Sequence, residues 1–254
     1  QGTNRARNIG TRLAKSDLVA VTDDDVVLAP HWVDIVLKTH REYPDVGVLG
    51  GKVVLRFIGE RPAWCIGNFA RLLTQLDWGD ELQELNDWRY LVSANMSYRK
   101  EIFEKIGGFC EEPSLIGGNN TYNDEFTFTE LSKSLGDPGL LYVPHLVAFH
   151  QIPSYRTTLP YMLKRSYAQG ASDIALYKFR FPNWSHSDLL RVWEDQLYGQ
   201  EWNYDEMVND RSNLPKLEVD VFTEYFLASR VSYLMGMSDM IRNAVDFSQF
   251  GELQ

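Results

Sequence analysis

The chain has 254 residues, 44% of them hydrophobic, which is enough for one large core or for one core with a smaller helical annex. Its net charge of −10 disfavours a nucleic-acid partner and a broad contact with anionic lipid, because both carry negative charge. No apolar run reaches the roughly 20 residues of a bilayer-spanning helix, no signal-peptide pattern follows Gln1, and two distant cysteines exclude a disulfide framework. We therefore expect a cytoplasmic protein, with peripheral membrane association left open.

Helical and strand patterns alternate over the first 60 residues. The predicted segments are a helix at 2–15, a strand at 18–22, a helix at 30–41, and strands at 46–49 and 52–57. The strand at 18–22 is apolar throughout and ends in three aspartates, which is typical of a buried parallel strand. The apolar side chains predicted to form the helix stripes are Ala6, Ile9, Leu13 and Ala14 in the first helix, and Trp32, Val33, Val36 and Leu37 in the second.

The pattern continues less regularly to residue 150 and then becomes helical. The further predictions are short helices and loops at 62–87, a strand at 90–95, a helix at 99–106, a mobile loop at 112–122, a helix at 124–135, strands at 140–143 and 146–150, and helices after 150. We therefore predict an α/β core at residues 1–150, with a mixed, mostly parallel sheet, and a helical extension at residues 151–254.

The strongest local signal is the cluster Asp23, Asp24 and Asp25 at the end of the first apolar strand. Adjacent carboxylates repel one another unless a cation or hydrogen-bond donors neutralise them. Carboxylate oxygens suit Mg²⁺ or Mn²⁺, which in turn bridges to a diphosphate. Ligands of open α/β sheets bind at the carboxyl ends of strands, where this cluster lies. The alternative is a solvated acidic turn.

Four motifs in order resemble the family 2 glycosyltransferases. They are an ARNxG helix start at 6–10, the aspartates at 23–25, the segment 93–109 with its Gly-Gly-Phe end, and the segment 123–150 with its Asn-Asp start and final His. The resemblance covers residues 2–170, including Arg165 and Gly170. It implies the Rossmann-like GT-A fold, a nucleoside-diphosphate sugar as donor, a hydroxyl acceptor such as a glycan or glycoconjugate, a divalent cation, and inversion at the anomeric carbon.

The resemblance also implies roles for the first half of the site. Arg7 and Asp23 would lie on the nucleotide side, and Asp25 would bind the metal. Asp24 points the other way along an extended chain, so it is either a second nucleotide contact or structural. For Arg7 the alternative is a surface salt bridge.

Asp124 is the candidate catalytic base, since a carboxylate at a helix start can accept the proton of the acceptor hydroxyl. Helix capping is its alternative. The family usually has Glu immediately before this Asp, whereas this chain has Asn123, and Glu125 is the substitute base or acceptor contact.

His150 is a candidate metal ligand or diphosphate contact, with a structural hydrogen-bonded role as the alternative. Arg156 and Arg165 are candidates for neutralising the diphosphate, and helix-surface positions are the alternative. Asn95 and Trp78 are candidate contacts of the donor sugar or the acceptor, with core packing as the alternative. Lys133 is predicted to be an ordinary solvated side chain.

Two other function classes remain open at this point. One is a non-catalytic sugar- or nucleotide-binding subunit, or one half of a split transferase, and the other is a nucleotidyltransferase. In the resembling family, strands and helices precede the helix that begins here at residue 2. We therefore expect a further N-terminal segment or a second chain to complete the sheet. A homo-oligomer is the other partner considered.

Overall fold

Helical and strand segments follow one another in nearly the predicted order. The computed structural model describes residues 3–111, 124–136, 139–198 and 216–243. Within these residues the helices are α1 (Thr3–Leu13), α2 (Trp32–Glu42), α3 (Gly67–Leu72), α4 (Lys100–Ile106), α5 (Asp124–Ser134), α6 (Leu159–Arg180), α7 (His186–Tyr198) and α8 (Lys216–Asn243). The strands are β1 (Leu18–Val21), β2 (Val26–Leu28), β3 (Val48–Ile58), β4 (Gln83–Glu84), β5 (Met96–Arg99) and β6 (Leu140–Pro153).

The chain divides into two units. The described residues of the first are 3–59, 73–111, 124–136 and 139–153, and they include the whole sheet and helices α1, α2, α4 and α5. The second unit contains Glu60–Leu72 and the described residues from Ser154 onward. It therefore includes α3 as well as the helices that follow the sheet.

The sheet is mixed, with strand order β1-β5-β3-β6-β2 and with β4 also paired to β6. This arrangement confirms the α/β class. The prediction that the sheet is mostly parallel is wrong for the described strands, because only β3 and β6 pair in parallel there. Strand β1 is antiparallel to β5 and only partly buried. A continuous apolar run does not indicate whether the neighbouring strand is parallel or antiparallel, so the predicted parallel direction was wrong.

Two predicted strand breaks do not exist. Strand β3 runs through Gly50 and Gly51, and β6 runs through Pro144, with an irregularity of register between Gly51 and Val53. At Gly51 an added Cβ would lie 1.9 Å from the carbonyl oxygen of Leu146, so only glycine fits this close backbone approach. The glycines and the proline therefore mark a bulge within long strands.

The predicted strand at 90–95 is also wrong. Residues Ser93–Asn95 form a single 3₁₀ turn, and strand β5 starts immediately afterwards. The side chain of Asn95 bonds to the backbone of two other segments in the interior. This tertiary anchoring overrides the local strand pattern.

Helix α1 packs with a polar face. Asn4, Asn8 and Thr11 are buried, whereas Ile9 and Leu13 of the predicted apolar stripe are exposed. The Asn8 side chain accepts a hydrogen bond from the Phe109 N–H and donates one to the Phe109 carbonyl oxygen, at 2.9 and 2.8 Å. These bonds satisfy a buried backbone segment, so the polar face is the one that packs inward.

Helix α2 follows its prediction only in part. Trp32 and Val36 are buried, but Val33 and Leu37 are exposed. Thr39 and His40 occupy the remaining buried positions.

Helices α6, α7 and α8 form the core of the second unit. Helices α6 and α8 cross closely, because Gly170 lies against the carbonyl of Tyr233 and Gly236 lies against the carbonyl of Tyr167. The hydroxyls of these two tyrosines donate to carboxylates on the opposite helix, at 2.7 Å each. None of the described helices is both long enough and apolar enough to cross a membrane.

Candidate functional site

The aspartate cluster forms the turn between β1 and β2. The N–H of Val26 donates to the carbonyl oxygen of Asp23 at 3.2 Å, which closes the turn. Asp23 and Asp25 are half-buried and Asp24 is exposed. Asp24 thus differs in exposure from its two neighbours, but it lies in a turn and not in an extended strand.

Arg7 of α1 is paired with Asp23. Its guanidinium lies 2.8 Å from the Asp23 carboxylate and over the ring of Phe109, 5.6 Å from the ring centroid. Burial raises the pKa of the Asp23 carboxyl, and the Arg7 charge opposes that rise. The pair is thus partly desolvated and differs in this from the exposed surface salt bridge considered as the alternative.

Glu125 in the first turn of α5 joins this pair. Its carboxylate lies 3.8 Å from the Arg7 guanidinium and accepts a hydrogen bond from the Ser93 hydroxyl at 2.6 Å. The fold therefore brings the start of α5 to the end of β1. Asp124 begins α5, but its side chain, like the whole of Asn123, lies outside the described residues.

Asp25 and His150 form a second contact at the same turn. Strands β2 and β6 pair Val26 with His150, and this register places the imidazole Nε2 at 3.2 Å from the Asp25 carboxylate. The other ring nitrogen, Nδ1, lies 2.9 Å from the carbonyl oxygen of Leu73. A carbonyl oxygen can only accept, so the proton of this bond is on Nδ1.

This geometry fits either a proton on Nε2 or a bound cation between the two groups. With Nδ1 donating to Leu73, a neutral imidazole presents the Nε2 lone pair to a carboxylate oxygen, and the two repel unless a proton or a cation lies between them. A carbonyl oxygen behind a metal-binding histidine is a common way to fix the ring. No cluster of three or more ligating side chains occurs in the described ranges. An ion held by Asp25 and His150 would take its other ligands from substrate phosphates and water.

Asn95 does not face a substrate site. It is fully buried, and its amide oxygen accepts from the Trp32 indole N–H at 2.7 Å. Its amide nitrogen donates to the carbonyl oxygens of Lys52 and Leu146, at 2.9 and 2.6 Å. The structure thus supports the alternative of interior packing, with Asn95 joining three segments of the first unit.

Trp78 is half-buried beside the core of the first unit. Its indole N–H donates to the carbonyl oxygen of Tyr90 at 2.9 Å, and its ring meets those of Trp88 and Tyr90 nearly at right angles. Lys133, predicted to be solvated, is only 16% exposed and donates to two backbone carbonyls near these rings.

The two candidate arginines after residue 150 belong to the second unit. Arg156 lies on the turn Ser154–Thr157 beside the ring of Tyr155, and the largely buried Arg165 donates to Gln169 one helical turn later at 2.8 Å. Their predicted role at a diphosphate stays a prediction.

Ser93 and the Leu73 carbonyl were missed as parts of the site. Ser93 lies within the motif segment 93–109, and this position could have marked it as a candidate. The sequence did not indicate that Ser93 would contact Glu125. The Leu73 carbonyl carries no signal in the sequence, since backbone atoms are common to all residues.

Comparison with known proteins finds a family match over part of the chain. Residues 1–107 match the sequence profile described as Glycosyl transferase family 2. Over these residues the chain is similar to that family, in agreement with the motifs of the sequence analysis.

Two curated relatives carry transferase or synthase names. The chain is 24% identical over 174 residues to glucosyl-dolichyl phosphate glucuronosyltransferase of Haloferax volcanii, covering 68% of this chain and 55% of the relative. It is 29% identical over 140 residues to chondroitin synthase of Pasteurella multocida, covering 45% of this chain and 14% of the synthase. The chain therefore spans about half of the first relative and a small part of the second.

Among solved structures, the chain is similar to S. aureus TarS 1-349 in complex with UDP-GlcNAc. The TM-score is 0.42 at 10% identity, with 95% of this chain and 72% of the TarS chain covered. The longer TarS structure gives the same TM-score at 11% identity, with 94% of this chain and 43% of that chain covered.

Proposed function

We propose that this chain is the catalytic part of a metal-dependent, inverting glycosyltransferase that moves a sugar from a nucleoside-diphosphate sugar to a hydroxyl acceptor. The observation that carries the proposal is the Asp25–His150 contact of 3.2 Å, at the turn where Arg7 holds Asp23. The match of residues 1–107 to the family profile supports a nucleotide-sugar donor.

Asp25 and His150 would hold a divalent cation, Mn²⁺ or Mg²⁺. When bound, the cation neutralises the negative charge that develops on the departing diphosphate. The mixture of one oxygen and one nitrogen ligand favours Mn²⁺ over Mg²⁺, since Mg²⁺ strongly prefers oxygen. Arg7 keeps Asp23 beside this position as the nucleotide contact, and Asp24 remains the candidate for a further contact from the exposed side.

Asp124 acts as the general base in this proposal. It takes the proton of the acceptor hydroxyl while that oxygen attacks the anomeric carbon, and the bond from this carbon to the diphosphate oxygen breaks. The nucleoside diphosphate leaves with the bonding electrons, so the configuration at the carbon inverts. Glu125 is already engaged by Ser93 and Arg7, which suits a residue that fixes the start of α5 better than a second base.

The proposed acceptor is a glycan or another glycoconjugate. The curated relatives support this class, because one is named for glucosyl-dolichyl phosphate and the other for chondroitin.

Thermal unfolding with a panel of nucleotide sugars tests the donor and the metal together. We expect one donor with Mn²⁺ to stabilise the protein by about 2.7 kcal/mol at a hundredfold excess over Kd, because the ligand binds only the folded state. Addition of EDTA should abolish most of the effect. Asp25→Asn should remove the Mn²⁺-dependent part, and Asp45→Asn, an exposed aspartate elsewhere on the first unit, should not.

The released product then separates the function classes. Transfer releases a nucleoside diphosphate, whereas a nucleotidyltransferase releases pyrophosphate. Donor binding without turnover, unaffected by Asp124→Asn, would identify a non-catalytic binding subunit. No stabilisation by any donor in the panel would contradict both the donor and the metal assignment.

A further inference from the structure

Trp88 presents a large aromatic ring to solvent. Its side chain is 68% exposed, on a surface stretch between β4 and β5. Indole rings are usually buried to a large extent because they carry much apolar area. A single exposed ring is not by itself a site, so its surroundings decide whether it has a binding role.

The ring of Trp88 is the outer end of a run of four aromatic rings. Trp88 meets Trp78 at 5.5 Å between centroids and 88°, Trp78 meets Tyr90 at 5.9 Å, and Tyr90 meets Phe126 at 5.5 Å. Phe126 follows Glu125 directly on α5, so the run leads from the surface to the start of the helix that carries the candidate base. Because the two tryptophans are perpendicular, Trp78 does not cover Trp88 face to face.

The backbone around Trp88 is fixed from both sides. The Lys133 ammonium donates to the carbonyl oxygen of Asp87 at 2.7 Å and to that of Arg89 at 2.6 Å, so it bridges the residues before and after Trp88. Lys133 is in turn held by Glu130 at 2.9 Å. A ring that is exposed but whose backbone is clamped to α5 is preorganised, which lowers the entropy cost of binding a ligand.

Polar side chains neighbour the two tryptophans in the chain, with Asp87 and Arg89 on either side of Trp88 and Asp77 directly before Trp78. Arg89 is bonded to Asp87 and Gln83, and Lys52 is paired with Asp77 and Asp80. The charges of these carboxylates are therefore offset by neighbouring cations. A flat apolar face with hydrogen-bonding groups at its edge matches a pyranose, which has apolar C–H faces and equatorial hydroxyls.

We propose that Trp88 is an outer acceptor subsite for a neutral oligosaccharide, and that Lys133 is its positioning residue. A pyranose unit stacks on the free face of Trp88, and the rest of the saccharide extends over the surface toward the start of α5. The role of this subsite as an acceptor site rests on the proposed function, but binding of the oligosaccharide does not require turnover. It makes the acceptor a saccharide chain rather than a simple alcohol.

Calorimetric titration of the protein with cellohexaose, chitohexaose and maltohexaose tests the subsite directly. We expect at least one of the three to bind, and Trp88→Ala to weaken its Kd by about tenfold or more, with Trp88→Phe intermediate because a smaller ring still stacks. Tyr43→Ala removes an exposed ring on another surface of the same unit and should leave the Kd unchanged.

Lys133→Met provides the second variant. It keeps the length of the side chain but removes the donor to both carbonyls, so oligosaccharide binding should weaken severalfold while the far-ultraviolet circular dichroism stays the same. Stabilisation by the donor with Mn²⁺ should be unchanged in Trp88→Ala. If no donor stabilises the unmodified protein but an oligosaccharide still binds to it, the proposed function is overturned and the saccharide subsite is not.

Three results overturn the subsite. The first is that none of the three oligosaccharides binds, and the second is that Trp88→Ala binds as well as the unmodified protein. The third is that Trp88→Ala changes the sedimentation coefficient but no sugar affinity, which would identify the ring as a protein contact.

Discussion

Buried amide side chains explain why several motif residues of this chain are structural. Asn8 ties α1 to Phe109, and Asn95 ties its turn to Lys52 and Leu146. Each forms hydrogen bonds to backbone groups that would otherwise be buried without partners. A motif match identified both asparagines as important, but only the contacts show that Asn95 serves packing and not a sugar.

His40 provides a prediction at this scale. It is 3% exposed on α2, its Nε2 lies 3.0 Å from the Ser97 hydroxyl, and burial, with the Arg99 charge, lowers its pKa from 6.5 to about 4. Between these values the unfolded chain binds a proton that the folded chain does not. The free energy of unfolding should therefore fall with decreasing pH, by about 2 kcal/mol from pH 7 to pH 5.

Urea unfolding at several pH values measures this loss. In His40→Gln the titrating group is absent, so the same pH change should cost about 2 kcal/mol less than in the unmodified protein. An identical pH dependence in the two proteins would show that His40 is not held neutral.

The sequence predicted the positions of most helices, but it did not predict where the strands begin and end. Helices α1, α2, α4, α5, α6, α7 and α8 all lie where helical spacing predicts them. The two long strands were split in the prediction, because Gly50, Gly51 and Pro144 are normally signals of a break. In the structure these residues lie in a bulge within continuous strands. The bulge depends on the close approach of Gly51 to Leu146, which a local sequence pattern does not indicate.

The crossing of α6 and α8 gives a prediction at the element scale. A Cβ at Gly170 would lie 2.1 Å from the carbonyl oxygen of Tyr233, and backbone atoms cannot rotate away. Gly170→Ala should therefore destabilise the protein by about 1–3 kcal/mol in spite of the better helix propensity of alanine.

Gly10→Ala is the matched control on α1. No atom lies within 4 Å of the added Cβ, so this change should stabilise the protein by about 0.5–1 kcal/mol. Urea unfolding followed by circular dichroism measures both variants. Equal effects of the same sign would contradict the close crossing of α6 and α8.

At the scale of the whole molecule, the first unit exposes apolar surface that the sequence assigned to its interior. Leu13 is 75% and Val33 is 59% exposed, and β1 has a neighbour on one side only within the described strands. Unpaired strand edges and apolar helix faces favour association. These surfaces are therefore candidates for association, and the expected further segment or second chain stays a prediction.

We expect this chain to self-associate when it is studied alone. The net charge of −10 opposes contact between copies, so association should increase when salt screens that repulsion. Sedimentation velocity at low and high salt measures this, and the double variant Leu13→Lys with Val33→Lys should shift the protein toward monomer. A monomer at every concentration and salt level would show that these surfaces are not adhesive.

The sequence alone determined the α/β class, the positions of the long helices and the resemblance to family 2 glycosyltransferases, because periodicity and short motifs are local properties. It also placed Asp23 and Asp25 at the end of a strand. Only the tertiary structure decided that Arg7 meets Glu125 and that Asp25 meets His150, since each pair is separated by more than a hundred positions along the chain. Such contacts depend on strand pairing and register, which local patterns do not encode.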